Sequence, residues 1–81
     1  MRIDKFLKVS RLIKRRTVAQ EACEAGRVMI NGKTAKASSK VAPGDVLEIA
    51  FGDRIVKAEV LELKDTTRKD EAAELYRLVA D

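Results

Sequence analysis

The apolar residues of this chain keep a helical period up to about residue 25 and a two-residue period from residue 28 to residue 60, which restricts the fold to a helix pair followed by a small sheet. Ile3, Phe6, Leu7 and Ser10 fall at i, i+3, i+4 and i+7, predicting a short helix over residues 3–9 that buries its apolar side and turns Lys5 and Lys8 to water. Thr17-Val18-Ala19-Gln20 fits a capping box, so a second helix is predicted to begin at Thr17. Its apolar stripe is Val18, Ala22 and Ala25, with Ala19 and Cys23 beside it, and Gly26 suits the left-handed position that ends a helix.

Val28-Met29-Ile30 leads into Asn31-Gly32, a pair that tolerates the positive φ of a two-residue hairpin turn. The stretch from Ala35 to Lys40 is small, polar and basic, and reads as a loop with little packing of its own. After the turn residues Pro43-Gly44-Asp45, the alternation of Leu47, Ile49 and Phe51 is answered across Gly52-Asp53 by Val56, Ala58 and Val60, a second hairpin. From about Lys69 to Val79, helical spacing returns with Ala72, Leu75, Tyr76 and Val79, predicting a short C-terminal helix. With 81 residues there is room for one core, so the expected division is residues 1–64 as the domain and 65–81 as its helical extension.

Charge is distributed as unevenly as period. Residues 1–40 hold 11 Lys+Arg against 3 Asp+Glu, and residues 41–81 hold 6 against 10, so halves of net +8 and −4 make up the overall +4. Arg2, Lys5, Lys8, Arg11, Lys14, Arg15 and Arg16 crowd into the first 16 residues, opposed only by Asp4. An ordinary solvated face mixes signs. Cations packed this closely repel one another unless an external anion compensates them, which points to nucleic acid. Lys14-Arg15-Arg16 also precede a helix start, where free N–H groups favour phosphate.

Enzymatic chemistry has little to work with. The chain has no His and a single cysteine, Cys23, which excludes a Ser-His-Asp or Cys-His relay, a zinc site of several Cys or His ligands, and an internal disulfide. Cys23 lies mid-helix beside the apolar stripe, the place of a small buried hydrophobe. Asp65, Asp70, Glu71 and Glu74 do not have calcium-loop spacing, and the 4 glycines form neither GxGxxG nor a Walker loop. No enzyme, metal or cofactor is expected. Nor is a membrane partner: the longest apolar runs are a few residues, and Met1-Arg2-Ile3-Asp4-Lys5 lacks a secretory segment, so the expected location is the cytoplasm. The aromatic residues Phe6, Phe51 and Tyr76 all fall at positions expected to be buried, which disfavours a stacking platform for single strands and leaves recognition of backbone and shape.

Arg2-Ile3-Asp4-Lys5-Phe6-Leu7, Ser10-Arg11, Arg15-Arg16-Thr17-Val18-Ala19, Gly26-Arg27-Val28, Ile30-Asn31-Gly32, Ser38-Ser39, Val41 and Pro43-Gly44-Asp45 together resemble the RNA-binding domain first described in ribosomal protein S-four. The resemblance implies an α+β fold of the S-four-like (alpha-L) kind: two N-terminal helices on a small, mostly antiparallel sheet, with the helix pair and adjoining loop as the RNA face. No catalytic domain accompanies it here. Among free-standing relatives, Lys8 to Thr17 and Glu62 to Lys69 look like the RqcP (YabO) family of bacterial ribosome-associated quality control, and the basic tail of the related fifteen-kilodalton heat-shock protein is missing.

That likeness implies contact with large-subunit ribosomal RNA and peptidyl-site tRNA while the partner RqcH extends a C-terminal alanine tail; the chain itself is expected to be a monomer. Carried over by position, Arg2, Lys5, Lys8, Arg11, Arg15 and Arg16 occupy the RNA-contacting helix face and loop; Lys14 joins them on charge and place. Arg2 and Arg16 are the leading candidates, and Asp4 is expected to orient an arginine or cap the first helix. Arg27, Lys33, Lys36 and Lys40 are candidates for secondary RNA contacts or plain solvation, and Asn31-Gly32 is expected to be structural. Three other readings stand beside this one: a recycling factor for free large subunits carrying a nascent chain, a protein-interaction module docking through Leu75, Tyr76 and Val79, and, more distantly, DNA binding.

Overall fold

A computed structural model of the chain describes residues 1–65 and 68–79. Its elements in order are α1 (Ile3–Val9), α2 (Arg16–Glu24), β1 (Val28–Ile30), β2 (Lys33–Thr34), β3 (Val46–Phe51), β4 (Arg54–Val60), α3 (Lys69–Ala72) and β5 (Tyr76–Leu78). The strands form one sheet in the order β2-β1-β3-β4-β5, every neighbouring pair antiparallel. The α+β expectation from the change of period is therefore met.

The core lies between the α1–α2 pair and one face of the sheet. Ile3, Phe6 and Leu7 of α1, Val28 of β1, and Leu47 and Ile49 of β3 are completely buried, and Cys23 and Ala19 of α2 fill the remaining gap. α2 ends as its Gly26 predicts: at φ 74 this residue donates to Cys23 O, while the following Arg27 N–H donates to Ala22 O, the reciprocal pair of a Schellman cap. The Asn31-Gly32 turn has both residues at positive φ, 51 and 82, as a type I′ hairpin requires. Asn31 is structural for a second reason: its amide donates to Asp45 and its carbonyl accepts from Val46 N–H, tying the first hairpin to the start of β3.

Four expectations need correction. The capping box does not form. α2 begins at Arg16, one residue before Thr17, and has no side-chain cap; Gln20 instead donates its amide to Asp4, a charge-assisted hydrogen bond that holds the side chain at the carboxylate. The 35–40 loop is also better packed than its composition indicates. Ala35 is buried, and Ser39 O and Ala37 O accept the Ile3 and Asp4 N–H groups, so this loop supplies acceptors for the first turn of α1.

The C-terminal helix stops after one turn. Leu75 then drops fully into the core, and Tyr76–Leu78 adds a fifth strand along β4, pairing Ala58 with Leu78 and Val60 with Tyr76. Pairing satisfies the backbone groups that β4 would otherwise leave open at an edge. With Leu75 buried, the helical docking face of Leu75, Tyr76 and Val79 does not exist. Finally, of the three aromatic residues only Phe6 is buried: Phe51 is 42% exposed and Tyr76 half-buried. Among the described residues no helix is long and apolar enough to cross a membrane.

Candidate nucleic-acid interface

The cations of the first 16 residues are arranged around one buried carboxylate. Asp4 sits in the first turn of α1 with no exposed surface, where an unpaired carboxylate would be very costly. It is matched from both helices. Arg2 Nη2 donates to Oδ2 at 3.1 Å, Arg16 Nη2 to Oδ1 at 3.3 Å, Gln20 Nε2 to Oδ2 at 3.0 Å, and the Lys5 backbone N–H to Oδ1 at 2.8 Å. Burial pushes the Asp4 pKa up, but the hydrogen bonds from Gln20, Arg16 and the Lys5 N–H, with the Arg16 charge, outweigh it and hold the carboxyl below its usual value.

Arg2 and Arg16 are thus brought together although they lie on either side of the helix pair. Each keeps close to half of its side chain in water, 44% and 42%, so the inner part of each guanidinium is fixed by Asp4 while the outer part remains open to an anion. Asp4 is in this respect the orienting residue that was expected. Gln20 was missed as a partner in this cluster. Its signal was available, since it stands four residues after Arg16 and so on the same side of α2, but the capping pattern claimed it first.

The remaining cations fall into two sets. Lys5 pairs with Asp65 at 3.1 Å, a contact from the acidic half that would have to yield to a phosphate. Lys8, Arg11, Lys14 and Arg15 are exposed and form no ion pair with a described residue. Ile13, buried at 5% exposure, anchors the loop that carries the last three, so they project from a fixed base. Arg11 marks the end of α1 in the left-handed region at φ 61, a position where glycine is usual and a bulky side chain is strained.

Arg27, Lys33, Lys36 and Lys40 are exposed on the α2–β1 connection, the short hairpin and the 35–40 loop; Lys36 lines a groove together with Arg2, and Lys40 pairs with Arg2 through a backbone bridge. Within the acidic half, Glu48 meets Lys57, Glu59 meets Arg77, and Glu71 faces Lys64 and Arg68. Among the described residues, Lys8, Arg11, Lys14 and Arg15 form the densest run of cations without an ion pair, and Arg27, Lys33, Lys36 and Lys40 add others outside the helix pair.

Nothing near this cluster resembles a catalytic centre. Cys23 is buried, and burial, then the charges of Asp4 and Glu24, push its thiol pKa up, opposite to what a nucleophile needs. Among the described residues no three His, Cys, Asp or Glu side chains gather where a metal ion could be held.

Comparison with known proteins agrees with this geometry. The S4 domain family is matched over residues 1–47. The RQC P-site tRNA stabilizing factor of Bacillus subtilis is 59% identical over the whole chain, which covers 94% of that protein. The heat shock protein 15 homolog of Haemophilus influenzae is 32% identical over 93% of the chain, which spans only 57% of that longer relative. Among solved structures, Vibrio cholerae heat shock protein 15, described as trimeric, superposes with a TM-score of 0.91 at 33% identity, covering 99% of this chain and 82% of that one.

Proposed function

Since the chain belongs to the S4 domain family, we propose that it is a non-enzymatic RNA-binding factor of ribosome-associated quality control, working in the cytoplasm on stalled large ribosomal subunits. The observation that carries this reading is the set of seven cations on α1, α2 and their loop, two of them aimed by Asp4 and four without a counter-ion among the described residues. A rigid helix pair presenting Arg and Lys in fixed directions suits the phosphates and 2′-hydroxyls of folded RNA.

In this reading Arg2, Lys5, Lys8, Arg11, Lys14, Arg15 and Arg16 hold large-subunit ribosomal RNA, and Arg27, Lys33, Lys36 and Lys40 reach a second RNA segment. The peptidyl-site tRNA named for the Bacillus subtilis relative is that segment. The protein makes and breaks no bond. Bridging tRNA to ribosomal RNA lowers the free energy of one tRNA position while RqcH adds alanine to the nascent chain. Recycling of free subunits, the heat-shock alternative, is less well supported, because the likeness to that relative is both weaker and confined to part of its length.

Sedimentation with purified large subunits tests the RNA reading. The intact chain should pellet with them in dilute buffer and lose them steeply as salt rises. Arg16→Ala should weaken binding while the domain stays folded; full binding by that variant sinks the assignment. Removing the protein from cells and following alanine tails on stalled chains decides the finer role, since tailing that continues unchanged would favour the recycling alternative.

A further inference from the structure

Phe51 leaves an aromatic side chain in the open at the end of β3. It points to the helix side of the sheet, as Leu47 and Ile49 do, but there α2 offers only Val18, Ala22 and Ala25, too little volume to cover it. The result is a groove of about 490 Å³ between α2 and the sheet end, with Ile13, Val18, Ala22, Ile49 and Phe51 as its apolar lining. Pockets that hold small molecules run from roughly 300 to 1,000 Å³. Val18 and Phe51 are 45% and 42% exposed, so the apolar surface faces water.

Charge around the groove indicates its occupant. Arg27 and Glu21 are the charged residues of the lining, Arg54 stands opposite Phe51 across a β3–β4 turn that also holds Asp53, and the lining residue Ile13 is followed in the chain by Lys14 and Arg15 of the basic loop. An apolar, aromatic floor bordered by four cations, Lys14, Arg15, Arg27 and Arg54, against two acids, Glu21 and Asp53, matches a nucleotide, whose base is flat and apolar on its faces and whose flanking phosphates are anionic. A peptide carrying an apolar anchor would fill the floor but would leave that cationic excess without counter-charge.

We propose that this groove takes one unstacked RNA base onto Phe51, with the adjoining phosphates on Arg27, Arg54 and the Lys14–Arg15 loop. The proposal rests on the RNA-binding reading and adds to it: besides backbone and shape, the domain recognises an extruded nucleotide next to the helix it grips. One stacked base contributes enough that losing it weakens binding by about tenfold.

The test uses the intact chain with purified large ribosomal subunits. Phe51→Ala and Phe51→Leu should bind about tenfold more weakly, Phe51→Tyr like the parent, with thermal unfolding confirming that each is folded. Ultraviolet crosslinking should attach a nucleotide to the tryptic peptide 41–54, which runs uncut from Lys40 to Arg54. Equal binding by all three variants, or nucleotide adducts only on peptides from residues 1–16, overturns the proposal. An adduct joining peptide 41–54 to a ribosomal protein also overturns it, and assigns the groove to a protein partner. Arg16→Ala serves as the control: if it weakens binding while the Phe51 variants do not, the RNA reading stands without this site, and if the parent chain binds no subunit, both fall together.

Discussion

Arg16 on α2 reaches across the helix pair to Asp4 on α1, its Nη2 3.3 Å from one oxygen and its Nε 3.3 Å from the other, although Asp4 has no surface of its own. The Nε contact is an ion pair without hydrogen-bond geometry, so the guanidinium is held across the carboxylate rather than locked in a full bidentate fork. A residue that looks like one acid lost among seven cations therefore decides where two of those cations point.

Replacing this acid separates charge from orientation. Asp4→Asn keeps the side-chain volume and raises the net charge by one, so a purely electrostatic interface would bind RNA more tightly. We expect weaker binding, because Arg2 and Arg16 lose the acceptor that fixes them. The domain should also lose about 2 kcal/mol, since hydrogen bonds to a charged group contribute roughly 1.5–3 kcal/mol and both arginines can turn to water instead. That loss corresponds to a melting temperature on the order of 10 °C lower. Sedimentation with large subunits below the variant's melting temperature measures the binding; tighter binding would remove Asp4's orienting role.

The same residue sets the acid limit of the fold. Its carboxyl pKa is lower in the folded chain than the ordinary 3.8, so the folded state favours the ionised form. The stability this contributes is fully present above the unfolded value and is lost as pH falls through the folded one. With no histidine in the chain, stability should be level from about pH 5.5 to 8 and fall below about pH 4. Melting curves of the parent and Asp4→Asn should converge as pH drops from 5 to 2.5. A constant gap between them over that range would mean that another group carries the acid response.

Cations that make no ion pair with a described residue should affect binding alone. Lys14→Ala with Arg15→Ala removes two exposed charges that make no ion pair with a described residue, so stability should change by less than about 0.5 kcal/mol. The slope of log affinity against log salt should shrink by roughly 1.5 if each cation neutralises one phosphate. Asp65→Asn should act in the opposite direction: it releases Lys5 from its 3.1 Å contact, costs little stability because the pair is exposed, and strengthens binding at low salt. Titrations at three or four salt concentrations read both effects, and an unchanged slope in the double variant would place these side chains outside the interface.

What the sequence revealed followed from local rules. The spacing of Ile3, Phe6 and Leu7 located α1, and Asn31-Gly32 and Gly52-Asp53 marked both hairpin turns, because each signal depends only on near neighbours. The basic face was visible as composition, but its arrangement around Asp4 was not. Gln20 had two acceptable partners, its own helix start and a carboxylate sixteen residues away, and only the packed pair brings the second within reach. Phe51 misled for a related reason: alternation assigns a strand residue to a face but does not say whether anything covers that face where the strand ends.

Leu75 provides the sharpest test of where spacing was overruled. Ala72, Leu75, Tyr76 and Val79 fit one helical stripe, yet Leu75 has no exposed surface at the junction of α3 and β5, and its carbonyl accepts from Leu61 N–H at 2.8 Å. The side chain therefore fixes both the end of the short helix and the start of the fifth strand. Leu75→Ala should cost roughly 2–5 kcal/mol, the usual range for a leucine removed from a packed core. Leu78→Ala, three residues on and 65% exposed, should stay within about 0.5 kcal/mol of the parent. A continuous helix to Val79 with Leu75 and Tyr76 at its surface would instead make the two substitutions similarly mild. Urea unfolding of both variants distinguishes these cases, and hydrogen exchange in the parent adds an independent check: the Val79 N–H, bonded to Lys57 O at 2.9 Å in the sheet, should be protected together with β4.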